Sequence, residues 1–185
     1  MNGTFSGLTE TFAMRPYYII QGQMLHTLFT SMFIHANWLH LIGNMLFLFV
    51  FGDNVEDAFT HAGYLVFYFA AGVVASFTQI LSTQILALQP FTPFDAVVGA
   101  SGAISGVLGA YIVLYPKARV WTFVFAGWPL ILPLPAILFL GFWFILQWVY
   151  GFFDLAGNVA YWAHIGGFLM GVFVAAMMRP FRKRR

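Results

Sequence analysis

Apolar residues in this chain do not alternate with polar ones; they run together in long blocks. A membrane-spanning helix needs about 20 apolar residues. Blocks of that length between polar or Pro/Gly breaks predict five spans, at roughly 37–58, 63–82, 96–115, 135–153 and 158–178. A further apolar stretch, WTFVFAGWPLILPL at 121–134, is broken by Pro129 and Pro133 and followed by Pro135. Proline removes a helix donor and clashes with the preceding turn, so this stretch is expected to be a loop or interfacial segment leading into the fourth span. The pattern predicts an all-α fold, a polytopic transmembrane helix bundle. It reads as a single membrane domain over 1–185, with 1–36 as an outer-face loop and 179–185 as a basic tail.

Composition agrees with this reading. Of 185 residues, 61% are hydrophobic and only 8% charged, which lies outside the range of soluble domains. The apolar blocks recur along the whole length, so a cleaved signal peptide does not account for them, and MNGTFSGLTETF lacks the basic start such a peptide needs. The chain has no cysteine, which excludes disulfides, Cys-ligated zinc and a thiol nucleophile. No metal site or cofactor is expected.

The charges orient the bundle. Lys117 and Arg119 follow the third span, Arg179, Arg182, Lys183, Arg184 and Arg185 follow the fifth, and Arg15 precedes the first. Seven of the eight basic residues therefore share one side. By the positive-inside rule that side, with the C-terminus, is cytoplasmic, and residues 1–36 lie outside. Asp53, Glu56 and Asp57 fall in the first cytoplasmic loop, where acids count for little. Basic residues directly after a span are topology anchors or lipid contacts rather than a nucleic-acid surface, so the bilayer is the expected partner and nucleic acid is not.

Polar groups inside spans are expensive and mark functional sites by default. Four stand out: His40, Asn44, Ser101 and His164. Their spans all run from outside to inside, and a rise of 1.5 Å per residue places the four at similar depths, roughly 5 to 10 Å below the start of each span. His40 and Asn44 are spaced i, i+4, on one helical face. Gly99, Gly102, Gly106 and Gly109 on the third span, and Gly167 and Gly171 on the fifth, let helix backbones approach closely. Each residue also has a plainer role: serine in a small-residue helix usually packs, and asparagine usually makes an interhelical hydrogen bond. A lone membrane histidine can bind metal or relay protons. A lipase-type nucleophile elbow is absent because Ala103 stands where G-x-S-x-G needs glycine, and Ser105 reads as packing. Together, however, the four fill complementary roles. Ser101 can attack if His164 takes its proton, and Asn44, His40 and the Ser101 backbone N–H can stabilise an oxyanion. Asp95 and Asp154 read as loop or interface residues, which leaves a Ser-His dyad without an orienting carboxylate.

These motifs resemble the rhomboid intramembrane serine proteases. The matching stretches are HANWLHLIGNM (35–45), GASGAISG (99–106), GFFDLAG (151–157) and AHIGGFLMG (163–171), in the family's order, with FGDNVED (51–57) and VLYPKARV (113–120) similar to its bacterial branch. The combination is highly specific, and the resemblance runs from about residue 24 to 178. It implies Ser101 as nucleophile, His164 as general base, and His40 and Asn44 in the oxyanion hole. It further implies that His35 lies near the mouth of the site and that Gly99 lies beside it. The implied substrates are single-pass or polytopic membrane proteins, entering sideways and cleaved near the outer face, with the 135–153 helix and the 151–158 loop as gate and cap. The implied location is a bacterial inner membrane. Two departures are visible. The family's six core spans include one ahead of the outer loop, and residues 1–36 offer only YYIIQGQMLHTLFTSMFIH, so a truncated or five-span form is expected. The Trp-Arg pair that many members carry in that loop is missing. Two other classes compete: an inactive relative that binds or escorts membrane proteins, and a small channel or transporter using the same polar groups.

Overall fold

The structure is a computed structural model that describes residues 2–84, 86, 92, 94–125, 128–153 and 159–178. Asp154 and the basic tail at 179–185 lie outside the described residues. Eight helices and one pair of strands follow in order: α1 (Asn2–Phe12), α2 (Pro16–Ile20), α3 (Thr27–Thr30) with a 3-10 turn (Ser31–Phe33), α4 (Trp38–Phe59), α5 (His61–Gln84), α6 (Ser101–Leu114), β1 (Arg119–Phe125), β2 (Pro129–Pro135), α7 (Ala136–Phe153) and α8 (Tyr161–Met178). Four of these, α4, α5, α7 and α8, are long and apolar enough to cross a membrane. The chain is an integral membrane helical bundle.

Each of the five expected spans falls on a helix, with one correction. The third span begins at Ser101, not at 96, and its 14 residues make a rod of only about 21 Å. Residues 95–99 are instead non-helical, with Val97 in a β-bridge, and are held by the N-terminal region. Met14 and Val97 exchange backbone hydrogen bonds, the Gly99 N–H donates to the Ser31 carbonyl at 2.9 Å, and Arg15 Nη1 donates to the Phe94 carbonyl at 2.8 Å. This segment therefore delivers Ser101 to the first position of α6. A short helix suffices because α6 is central: Gly102 to Tyr111 are all buried, so it meets protein rather than lipid. The outward faces of α4 (Leu39, Ile42, Phe49) and α7 (Leu138, Phe142, Ile145) carry the exposed apolar side chains.

Glycines set the spacing around α6. A Cβ on Gly167 or Gly171 would collide with the carbonyl oxygens of Gly102 and Gly106, and one on Gly109 with that of Phe168. Helices α6 and α8 thus touch backbone to backbone. On its other side α6 meets Ala71 and Ala75 of α5, the latter 2.6 Å from a Cβ built on Gly102.

Two stretches read as loops are more ordered than expected. Residues 1–36 contain α1 to α3, of which α2 and α3 pack on α5. Residues 119–125 and 129–135 form an antiparallel pair of strands in which Arg119 pairs with Pro135 and Phe125 with Pro129. The prolines at 129, 133 and 135 are all odd-numbered, so their missing N–H groups fall on one edge of β2, while the even positions remain free to donate to β1. The proline spacing that forbids a helix is thus compatible with an edge strand.

Candidate functional site

Asn37 starts α4 by accepting the His40 backbone N–H on its side-chain oxygen at 2.8 Å, the usual N-cap bond. One turn later Asn44 is buried at 7% exposure, and its Nδ2 has no protein partner. The ring of His40 accepts the Ala36 backbone N–H on Nδ1 at 3.4 Å. In the neutral ring this leaves Nε2 as the donor. That nitrogen faces Gly99, where a Cβ would lie 2.7 Å from His40 Nε2 and 3.6 Å from Asn44 Nδ2. Gly99 also sits at φ +116°, a backbone conformation that side chains resist, so glycine is required there on both counts.

Ser101 and His164 meet as their depths suggested: Ser101 Oγ and His164 Nε2 are 2.8 Å apart, from the first turns of α6 and α8. The imidazole lies against the Trp143 ring at 5.9 Å and the edge of Tyr161 at 6.2 Å. A cleft of about 1080 Å³ is lined by His40, Asn44, Ser101, Trp143 and His164, with Asp95 also on its wall. The Asp95 carboxylate accepts the Thr92 N–H and is exposed, as expected of a loop residue. The Ser105 hydroxyl donates to the Ser101 carbonyl at 2.6 Å. His35 stands edge-on to His40 at 5.2 Å, and its Nε2 is buried without a partner. Burial, then the His40 ring beside it, hold His35 below its ordinary pKa of 6.5. Among the described residues, no group of three or more His, Cys, Asp or Glu side chains is placed to hold a metal.

Two residues belong to this site that the sequence reading passed over. Gln147 of α7, 6% exposed, puts Oε1 2.8 Å from His164 Nδ1, so the pair has an orienting group after all, an amide rather than a carboxylate. Gln79 of α5, fully buried, accepts the Ala163 N–H on Oε1 at 3.2 Å. It thereby satisfies one of the orphan donors in the first turn of α8, beside His164. The signal was available: each is a glutamine within an apolar span, which the expense of intramembrane polar groups flags.

Chemically, the cleft combines a hydroxyl hydrogen-bonded to an imidazole nitrogen with an unpartnered amide donor, Asn44 Nδ2. That is the equipment for acyl transfer.

The family model of the Rhomboid domain matches residues 22–181. The chain is similar to the mitochondrial Rhomboid protein 1 of Saccharomyces cerevisiae, 29% identical over 160 residues that cover 84% of this chain and 43% of that protein. It is similar also to Rhomboid protease GluP of Bacillus subtilis, 31% identical over 160 residues, with 86% and 27% covered. With the mitochondrial RHOMBOID-like protein 12 of Arabidopsis thaliana it shares 28% identity over 169 residues, with 86% and 48% covered. The chain spans less than half the length of each of these relatives. A family match over nearly the whole chain, joined to a helical bundle that brings the four motif residues to one cleft, gives the assignment: the chain belongs to the rhomboid family.

Proposed function

We propose that this protein is an intramembrane serine endopeptidase that cleaves transmembrane protein substrates near the outer membrane face. The observation that carries the reading is the 2.8 Å hydrogen bond between Ser101 Oγ and His164 Nε2 at the wall of a cleft. Family membership supports it, since the family acts on membrane protein substrates within the bilayer and includes serine proteases.

The geometry supports the following reaction. Ser101 Oγ attacks the scissile carbonyl while its proton passes to His164 Nε2. The resulting oxyanion is met by Asn44 Nδ2, His40 Nε2–H and the Ser101 backbone N–H. Collapse breaks the C–N bond, and His164 returns the proton to the leaving amine. Water then repeats the sequence on the acyl-enzyme and frees Ser101. The glycine at 99 keeps the oxyanion side open, because any side chain there would fill the space between His40 and Asn44. The substrate helix has to unwind locally to present a peptide bond to this cleft, with α7 as the side of entry. The basic residues support an opening toward the outer face with the C-terminus in the cytoplasm, and the proposed location is a bacterial cell membrane.

The test is cleavage of a reporter transmembrane substrate by purified protein in lipid. Cleavage that disappears in Ser101→Ala and in His164→Ala supports the reading. Cleavage that persists in Ser101→Ala overturns the nucleophile, and no turnover by the wild type favours a non-catalytic, substrate-binding relative.

A further inference from the structure

We infer that Gln147 is a positioning residue that sets the tautomer of His164. This rests on the reading of His164 as the base, and three contacts on three helices carry it.

A neutral imidazole can take the Ser101 proton only if its Nε2 is bare, which requires the ring proton on Nδ1. The partner of Nδ1 is Gln147, and a glutamine amide can present either its acceptor oxygen or its donor nitrogen. Which end faces the ring therefore decides whether His164 is a base or an idle donor. The Trp143 backbone carbonyl, one turn earlier on α7, settles the choice. It accepts Gln147 Nε2–H at 3.1 Å, and a carbonyl has no proton to give. With the amide nitrogen committed to Trp143, the oxygen must face His164 Nδ1 at 2.8 Å. Nδ1 then carries the proton, and Nε2 is left bare toward Ser101 Oγ at 2.8 Å.

This function is separable from holding the ring in place. The imidazole is already seated against the Trp143 ring at 5.9 Å and perpendicular to the Tyr161 ring at 6.2 Å. The remaining titratable groups around the cleft are His40 and His35 near the mouth and Asp95 on the wall. Asp95 is occupied by the Thr92 N–H, and the two His164 ring nitrogens face Gln147 and Ser101. The orienting atom also sits on α7, while the nucleophile is on α6 and the base on α8. Alignment of the base thus depends on where α7 is seated, and α7 packs more sparsely on α6 than α8 does.

The experiment uses the full chain in lipid nanodiscs, with 15N-labelled histidine and the His164 signals assigned by their loss in His164→Gln. The expected wild-type signature is a protonated Nδ1 and a bare Nε2. Gln147→Leu should shift the ring toward the other tautomer and lower kcat on the order of tenfold, the factor one neutral hydrogen bond is worth, with KM unchanged. Gln147→Met, unbranched and close to glutamine in length, should do the same if Leu impairs folding. Gln147→Glu, which keeps an acceptor oxygen, should preserve the wild-type signature. A wild-type ring protonated on Nε2, or an unchanged signature or unchanged kcat in both Leu and Met variants, overturns the inference. Failure of the protease reading is distinguishable, because Ser101→Ala would then still cleave, or the wild type would not, while the ring signals decide the role of Gln147 on their own.

Discussion

Replacing Gly167 with alanine adds one methyl group where α6 and α8 touch backbone to backbone. That Cβ would collide with the Gly102 carbonyl oxygen and would stand 3.0 Å from its carbon and 3.4 Å from the Gly106 nitrogen. All three are backbone atoms of a buried helix, so no rotamer change relieves the clash. Restoring an ordinary contact requires α6 and α8 to part by roughly 1 Å, since a densely packed interior has no slack to absorb it. Gly102 adjoins Ser101, and Gly167 is one turn from His164, so the displacement falls directly on the 2.8 Å bond between them and stretches it beyond hydrogen-bond reach. Overpacking of this kind destabilises by about 1–3 kcal/mol, and a 1 Å misplacement lowers the rate about 10²-fold. Cleavage of a reporter substrate and thermal unfolding in the same lipid would be measured together. Gly141→Ala on α7, where a Cβ meets nothing within 4 Å, is the control and should leave both unchanged. A Gly167→Ala protein that cleaves at the wild-type rate would refute the claim that backbone contact between α6 and α8 sets the pair in register.

Asn44→Ala should lower kcat by about 10²–10³ with little change in KM, as loss of an oxyanion donor does; because Nδ2 has no partner in the resting protein, the melting temperature should not fall with it. Gln79→Leu removes the acceptor of the Ala163 N–H and leaves that donor buried, so it should destabilise the protein by about 1–3 kcal/mol, read as a lower melting temperature. The depressed pKa of His35 makes a signed prediction. Folded His35 resists the proton that the unfolded chain accepts near 6.5, so its contribution is absent at higher pH and stability is lost as pH falls through 6.5. Melting curves of wild type and His35→Gln between about pH 7.5 and 5.5, the range over which histidine titrates, should show a shallower decline for the variant. An equal decline would remove His35 from the account.

Most of the bundle could be read from the chain because its elements are long apolar blocks, and burial of their backbone in a membrane leaves helix as the available solution. Ser101, His164, His40 and Asn44 could be read for the opposite reason, as polar groups where they are expensive. The start of α6 was missed because residues 96–100 are apolar, and apolarity does not separate a helix from a non-helical segment. What holds Val97 and Gly99 out of the helix is a set of partners, Met14 and Ser31, that are distant in sequence. The strand pair was missed because its prolines say only what the segment cannot be. Their odd-numbered spacing becomes meaningful only once β1 supplies a partner for the even positions. Gln147 was not legible because the familiar third member of such a pair is a carboxylate, whereas a neutral amide is the group a buried membrane site can hold without desolvating a charge.

The central claim is that Ser101 is a nucleophile activated by His164. A fluorophosphonate probe reacts with an activated serine hydroxyl, and peptide mass mapping then locates the adduct. The account predicts an adduct on Ser101 in the wild type that is lost in His164→Ala. An adduct on another serine, or equal labelling of Ser101 without His164, would contradict it.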